Sequence, residues 1–304
     1  MQLNVLSADT GSRKRLPPWL KKTLAGGETL LRTREIVARS GVATVCQEAR
    51  CPNLNECWSK RHATFMILGD RCTRRCGFCA VETARPLPPE SDEPRRLAEA
   101  VEQLDLRHVV ITAVARDDLP DEGADHFAAC VRAIRARMAE IVIEVLPADF
   151  HARTDLLARV CDAAPDIYNH NLETVRRLTP LVRSRHAEYD QSLDVFRRVR
   201  ELTPETFTKS GVMVGLGESR AELSQTLRDL RAAGVDIVTL GQYLQPSAAH
   251  LPVDRYYEPA EFDALGEEAR GLGFASVASG PFVRSSYNAD SVYAAIGRRR
   301  RSAG

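Results

Sequence analysis

From Thr64 onward, short apolar runs rich in β-branched residues alternate with stretches whose apolar residues recur every three or four positions. The runs fall at 64–68 (TFMIL), 108–112 (HVVIT), 141–146 (IVIEVL), 166–171 (DIYNHN), 207–215 (FTKSGVMVG), 236–242 (DIVTLGQ) and 274–279 (FASVAS). Between them the spacing predicts helices over about 93–104, 123–138, 152–163, 173–178, 189–202, 220–233 and 259–271. Strand followed by helix, repeated about six times, argues for a parallel sheet with right-handed helical crossovers. The strand runs are continuous rather than alternating, as expected where both faces are covered.

Two closures satisfy this pattern, an open doubly wound sheet and a curved barrel. No G-x-G-x-x-G follows the first strand and no G-x4-G-K-[ST] occurs, so nucleotide-fold fingerprints are missing. Roughly 220 residues with six or seven strands fall short of a complete eight-stranded barrel. The expected fold is therefore α/β, an incomplete parallel (βα)6-type TIM-like barrel over residues 61–279. Residues 1–60 read as an N-terminal extension and 280–304 as a C-terminal one.

Composition narrows the partners. Formal net charge is +1, with 44% hydrophobic and 27% charged residues, so bulk charge predicts neither a nucleic-acid nor a membrane partner. Lys occurs only at 14, 21, 22, 60 and 209, which leaves Arg to carry nearly all the positive charge. The RRRR run at 298–301 reads as a solvated end. No apolar run is long enough for a transmembrane helix, and the N-terminus lacks the apolar core of a secretory signal. The expected location is a reducing cytoplasm, where disulfides are rare.

That expectation gives the cysteines their meaning. Of the eight, six lie between positions 46 and 79. Cys72, Cys76 and Cys79 form a C-x3-C-x2-C run directly after the first predicted strand, where parallel α/β folds gather reactive groups. A structural zinc site wants four protein ligands, so zinc would need a further donor such as His62 or His108. Three thiolates also suit a cubane iron–sulfur cluster, leaving one iron open to a small molecule, with Phe78 placed to cover it. Cys46, Cys51 and Cys57 form a second incomplete set, C-x4-C-x5-C, whose remaining ligand is open. Cys130 and Cys161 lie among apolar helical positions and read as core residues.

The C-x3-C-x2-C run resembles the signature of the radical S-adenosylmethionine superfamily, in which the methionyl amine and carboxylate chelate the open iron. Both triplets, in this order, resemble those of lipoyl synthases. Further stretches agree: GSRKRLPPWLKK near the N-terminus, ITAVARDDLPDEGADHF (111–127), EVLPADF (144–150), YNHNLETV (168–175), TKSGVMVGLGE (208–218), TLGQYLQPS (239–247) and GPFVRSSYNAD (280–290). Ala115 and Glu122 depart from that family's pattern, which has Asp and Gly there.

The resemblance implies insertion of two sulfur atoms at carbons 6 and 8 of an octanoyl chain held on a lysine of a lipoyl carrier protein. Unactivated C–H bonds offer a base no acidity, which is why a 5′-deoxyadenosyl radical is needed. It implies two 4Fe-4S clusters and S-adenosyl-L-methionine as cofactors. Cys72, Cys76 and Cys79 would hold the radical-generating cluster, and Cys46, Cys51 and Cys57 the sulfur donor. The donor's fourth ligand would be a serine oxygen, Ser286 or alternatively Ser285. Phe78, Thr112, Glu144, Asn171, Lys209 and Arg220 are candidate contacts to S-adenosylmethionine, and Arg284 a candidate carboxylate clamp. His170 reads as a structural histidine.

Implied partners are octanoylated 2-oxoacid dehydrogenase lipoyl domains and glycine cleavage H protein, an electron donor such as flavodoxin or ferredoxin, and an iron–sulfur carrier protein. The N-terminal extension is expected to wrap over the barrel mouth. Competing readings are biotin synthase, which would not need the upstream triplet, a methylthiotransferase, which should carry a nucleic-acid-binding module, and a non-catalytic iron–sulfur or zinc protein.

Overall fold

A computed structural model describes residues 16–22 and 26–286 of the chain; the RRRR run lies outside them. The chain opens with α1 (Glu28–Ser40), the two-residue strand β1 (Ala43–Thr44), and short helices α2 (Val45–Glu48) and α3 (Leu54–Ser59). β2 (Thr64–Ile67) leads into a loop that pairs β3 (Arg71–Cys72) with β4 (Glu82–Thr83). The alternation then runs α4 (Glu93–Gln103), β5 (His108–Ala113), α5 (Ala124–Arg137), β6 (Val142–Leu146), α6 (Thr154–Cys161) and β7 (Ile167–Asn169). It continues through α7 (Thr179–Val182), α8 (Tyr189–Leu202), β8 (Phe207–Val214), α9 (Arg220–Ala232), β9 (Ile237–Gln242), α10 (Pro259–Gly271) and β10 (Ser276–Gly280).

Spatial order in the main sheet is β1-β2-β5-β6-β7-β8-β9-β10, and every neighbouring pair is parallel except β1 with β2. Space follows chain order, so each crossover steps one strand further in the same direction. A doubly wound sheet reverses direction at its switch point; this one never does. Seven parallel strands joined by six helical crossovers make the incomplete TIM-like barrel expected from the sequence.

Side-chain alternation separates an outer from an inner face. In β6, Ile143 and Val145 join the large core formed with α4, α5 and α6, while Val142 points the other way. There Val142 meets Ile167, Phe207 and Ile237, first residues of neighbouring strands, in a small inner cluster at the amino-terminal end. Helix ends are set locally: Ser219 and Glu222 form a reciprocal capping box at α9, and Pro259 starts α10 at a position where its missing N–H costs nothing.

The N-terminal segment is continuous with the barrel. Leu30, Val37, Val42, Cys46 and Trp58 share one core with Phe65 and Ile67. It does not wrap over the mouth at the strands' carboxyl ends, as expected above. β1 runs antiparallel to β2, pairing Thr44 with Phe65. The chain therefore leaves β1 at the amino-terminal end of β2, and α2 with Cys46 begins there. Trp19 Nε1 donates to the Tyr257 carbonyl at 3.1 Å, tying the start of the described chain to the far side of the barrel.

Candidate metal centres

The loop carrying Cys72, Cys76 and Cys79 is anchored from several sides. After β2 the chain turns through Leu68 (φ 66°) and Gly69 (φ 89°). Glu93 accepts the Leu68 N–H at 2.9 Å, and Arg116 Nη1 donates to the Leu68 carbonyl at 3.2 Å. Arg74 donates in fork fashion to Asp117 and at 2.7 Å to the fully buried Asp149. Burial would raise the Asp149 carboxyl, but Arg74 brings it down to about 2. Gly77 donates to the Val182 carbonyl at 2.9 Å and accepts from Leu251 at 3.0 Å, and His250 Nε2 lies 2.9 Å from the Cys79 carbonyl oxygen. These holds come from five separate segments, so the cysteines are placed by the fold and not by the loop alone.

The sulfurs show what they are prepared for. Cys72 Sγ accepts backbone N–H groups of Arg74 (3.4 Å) and Ala115 (3.3 Å), and Cys76 Sγ accepts that of Ser184 (3.3 Å). Burial nonetheless pushes the Cys76 thiol up and the Cys79 thiol to about 12, each raised further by its partners in the triplet. Without metal these are neutral thiols; a bound iron deprotonates them, so loading releases protons.

The second triplet faces one cavity. Its lining includes Cys46, Cys51, Cys57, His108, Arg284 and Ser286. Burial raises Cys46, and burial with the neighbouring Cys46 and Cys51 raises Cys57 to about 12. Thr64 and His108, which begin β2 and β5, are also in the wall. The two triplets therefore lie at opposite ends of β2, separated by on the order of one four-residue strand, ~13 Å. The three sulfurs, a serine hydroxyl and a guanidinium opposite them fit an anionic iron–sulfur cluster.

Of the two serines, Ser286 lines this cavity, whereas Ser285 Oγ accepts from Asn171 Nδ2 at 3.4 Å. Asn171 follows β7 and leaves its Oδ1 without a hydrogen-bond partner. Glu144 is not at a strand end, as its position before LPADF implies, but in the middle of β6, fully buried on the inner face. Both its oxygens accept from Lys209 Nζ at 2.9 Å, and Asn169 Nδ2 donates to Oε1 at 2.7 Å. Burial opposes that charge, yet Lys209 and His108 hold the carboxyl down at about 2. Glu144 and Lys209 are thus spent on each other.

Thr112 gives its hydroxyl proton to the Leu146 carbonyl at 2.8 Å. Phe78 packs against the core of the second half-barrel. Arg220, at the start of α9, is half-exposed and ion-pairs with Glu268 of α10 at 2.6 Å; the structure does not bring it to the other site residues. His170 is buried, with Nε2 3.1 Å from Ser192 Oγ, and burial lowers it to about 4, as suits a structural histidine. Cys130 and Cys161 are core residues.

Sequence reasoning missed Glu173. Its backbone adopts φ 70° and bridges to β8, accepting from Met213 N–H at 2.8 Å. Its carboxyl is raised by burial and lies close enough to Cys76 and Cys79 to raise them in turn. A carboxylate buried beside the three-thiol loop is placed to meet a cationic amine. The only sequence signal was its place inside YNHNLETV.

An incomplete parallel barrel carrying a three-cysteine loop after its first strand is the architecture of a radical S-adenosylmethionine enzyme. The superfamily profile described as "Radical SAM superfamily" matches residues 66–230. Among solved structures, methylornithine synthase aligns with a TM-score of 0.54 at 14% identity, covering 78% of this chain and 81% of its own. The hydrogenase maturase HydG aligns with a TM-score of 0.53 at 14% identity, covering 88% and 74%. At that identity the likeness speaks for the fold.

Sequence relatives are far nearer. Lipoyl synthase of Symbiobacterium thermophilum is 54% identical over 100% of this chain and 95% of its own length. Those of Methylococcus capsulatus (51% identical, covering 96% and 91%) and Halalkalibacterium halodurans (53%, covering 91% and 91%) are similarly close. The chain belongs to the lipoyl synthase family, and its cofactors are 4Fe-4S clusters and S-adenosylmethionine.

Proposed function

We propose that this enzyme inserts sulfur at carbons 6 and 8 of an octanoyl chain amide-linked to a carrier-protein lysine, with its two cysteine triplets in separate roles. Cys72, Cys76 and Cys79 hold the radical-generating cluster; Cys46, Cys51, Cys57 and Ser286 hold the sulfur donor. When bound, the first cluster with S-adenosylmethionine supplies a 5′-deoxyadenosyl radical, and the second supplies sulfur.

The observation that carries this reading is the placement of two incomplete thiol sets at opposite ends of β2. An extended acyl chain lying along the strand direction passes from one to the other. On the inner face between them the two charged groups, Glu144 and Lys209, neutralise each other, with Asn169 Nδ2 donating to the carboxylate. Glu173, which interacts electrostatically with Cys76 and Cys79, is the proposed partner of the cofactor's amine, and Asn171 that of its ribose, while Phe78 packs against the core beside the loop. Arg284 lines the donor cavity near enough to Cys51 to interact with it electrostatically, matching the negative charge of a thiolate-ligated cluster. A serine oxygen is a hard ligand for a cluster that prefers thiolate, so it is the ligand most easily surrendered.

The proposed substrates are lipoyl domains of 2-oxoacid dehydrogenases and glycine cleavage H protein. Electrons come from a flavodoxin or ferredoxin, and fresh clusters from an iron–sulfur carrier protein. The proposed location is the cytoplasm; no described helix is long and apolar enough to cross a membrane.

The test is anaerobic. The chain is reconstituted with iron and sulfide, reduced with dithionite, and given S-adenosylmethionine and an octanoyl-lysyl peptide. Lipoyl-lysyl peptide together with 5′-deoxyadenosine is the expected result by mass spectrometry. Deoxyadenosine without sulfur insertion would refute the substrate assignment.

A further inference from the structure

His108 is the first residue of β5 and only 8% exposed, and its ring lines the donor cavity with Cys46, Cys51, Cys57 and Ser286. Its Nδ1 makes no hydrogen bond among the described residues. Nε2 lies 3.4 Å from Glu144 Oε2, an electrostatic contact. A histidine kept for packing alone has no need of a buried Nδ1 without a partner, since an unmade hydrogen bond opposes folding.

Glu144 fixes the sense of the ring. Its carboxylate is clamped by both contacts of Lys209 Nζ and by Asn169, and it cannot swing away. Beside a fixed anion, Nε2, the nitrogen nearest the carboxylate, is the one that carries the proton when the ring binds a metal. Nδ1 then carries a lone pair. Carboxylate–imidazole pairs of this kind orient metal-binding histidines and raise their basicity, and imidazole is a good ligand for iron.

The cavity wall thus carries more donors than a cluster with four irons needs: three thiols, the Ser286 hydroxyl and the imidazoles of His62 and His108 among them. We propose that His108 is a reserve ligand of the donor cluster, which takes the fourth iron through Nδ1 when the Ser286 oxygen leaves. This rests on the assignment of the donor cluster to this cavity. It gives a cluster that must be dismantled a second hold at the site where its weakest ligand departs. His62 shares the cavity wall, so the two histidines must be told apart.

The experiment uses the full chain carrying C72A/C76A/C79A, labelled with 15N-histidine and reconstituted with iron and sulfide. Pulsed electron paramagnetic resonance of the reduced protein reads nitrogen bound to iron directly. With Ser286 intact, no directly bound histidine nitrogen is expected. Adding S286A should produce a strong 15N coupling that H62N leaves in place and H108N abolishes. A full cluster in the S286A chain with no such coupling, or a coupling that survives H108N, overturns the proposal while leaving the donor site standing. Failure of the C72A/C76A/C79A chain to assemble any cluster, with its circular dichroism unchanged, overturns the donor-site assignment and the proposal with it.

Discussion

Asn53 donates its side-chain N–H to the Phe282 carbonyl at 2.7 Å, and its own amide oxygen accepts from Lys22 Nζ at 2.6 Å. The bond joins residues 229 apart in sequence. One partner lies two positions after Cys51, the other four before Ser286. Lys22 also sits 4.5 Å from the centre of the Phe282 ring, adding a cation–π contact to the same junction. The donor cavity is therefore assembled from both ends of the chain across the open side of the half-barrel.

Removing that tie should be felt at the metal. Asn53 is 1% exposed, so Asn53→Ala leaves the Phe282 carbonyl unpaired at a cost of about 1–3 kcal/mol. We expect a lower melting temperature and loss of iron from the donor site, with deoxyadenosine formation retained. Iron analysis against melting decides it; a variant with a full iron complement would show that the tie does not matter for the site.

The Glu144–Lys209 pair makes a pH-dependent contribution. The folded carboxyl sits at about 2 against an ordinary value of 4.5. A lowered pKa stabilises the fold above about 4.5, and that stability is lost as pH falls toward 2. Glu144→Gln should remove this acid-limb slope and, by leaving a buried ammonium without its carboxylate, destabilise by about 3–5 kcal/mol at neutral pH. Denaturant titrations across the acid range measure both; an unchanged slope in the variant would assign the acid sensitivity to other carboxylates.

Gly77 tests how tightly the radical loop is seated. A Cβ there would meet the Leu251 side chain at 2.9 Å and the Leu181 carbonyl at 3.3 Å. Gly77→Ala should displace the loop between Cys76 and Cys79 at a cost of about 1–3 kcal/mol. The expected signature is reduced deoxyadenosine production with the donor cluster still assembled. Leu251→Ala in the same chain should restore much of the loss, since it removes the nearer clash.

The sequence patterns located most of the barrel. The helices at 189–202 and 259–271 match their predicted bounds because their apolar faces repeat through full turns. β1 was invisible because two residues, Ala43 and Thr44, have no period to read; pairing with β2 creates the strand. That one antiparallel pairing decides which barrel end receives the upstream triplet, and so it hid the site's layout too. The cysteines were legible because three thiols at fixed spacing have few other uses. Glu144 and Lys209 looked like cofactor ligands because single charged residues stand out in apolar strands. Only the register across β6, β7 and β8 reveals that they pair. His108 stood out only as one possible zinc donor, since its pairing with Glu144 joins residues distant in sequence.

The proposed division of labour between the triplets predicts opposite phenotypes from single cysteine changes. Cys76 accepts from Ser184 in the half of the barrel that holds α7, and its triplet shares electrostatic contacts with Glu173. Cys76→Ala should abolish deoxyadenosine formation while the donor cluster remains detectable. Cys57 belongs to the other cavity, where Cys46 and Cys51 act on it. Cys57→Ala should leave cleavage of S-adenosylmethionine measurable and eliminate lipoyl product. Because both substitutions remove one half-buried thiol, a shared folding defect would lower both readouts in both variants, and matched circular dichroism rules that out. If Cys57→Ala made lipoyl product at the wild-type rate, the sulfur would have to come from elsewhere, and the upstream triplet would be reduced to a structural metal site.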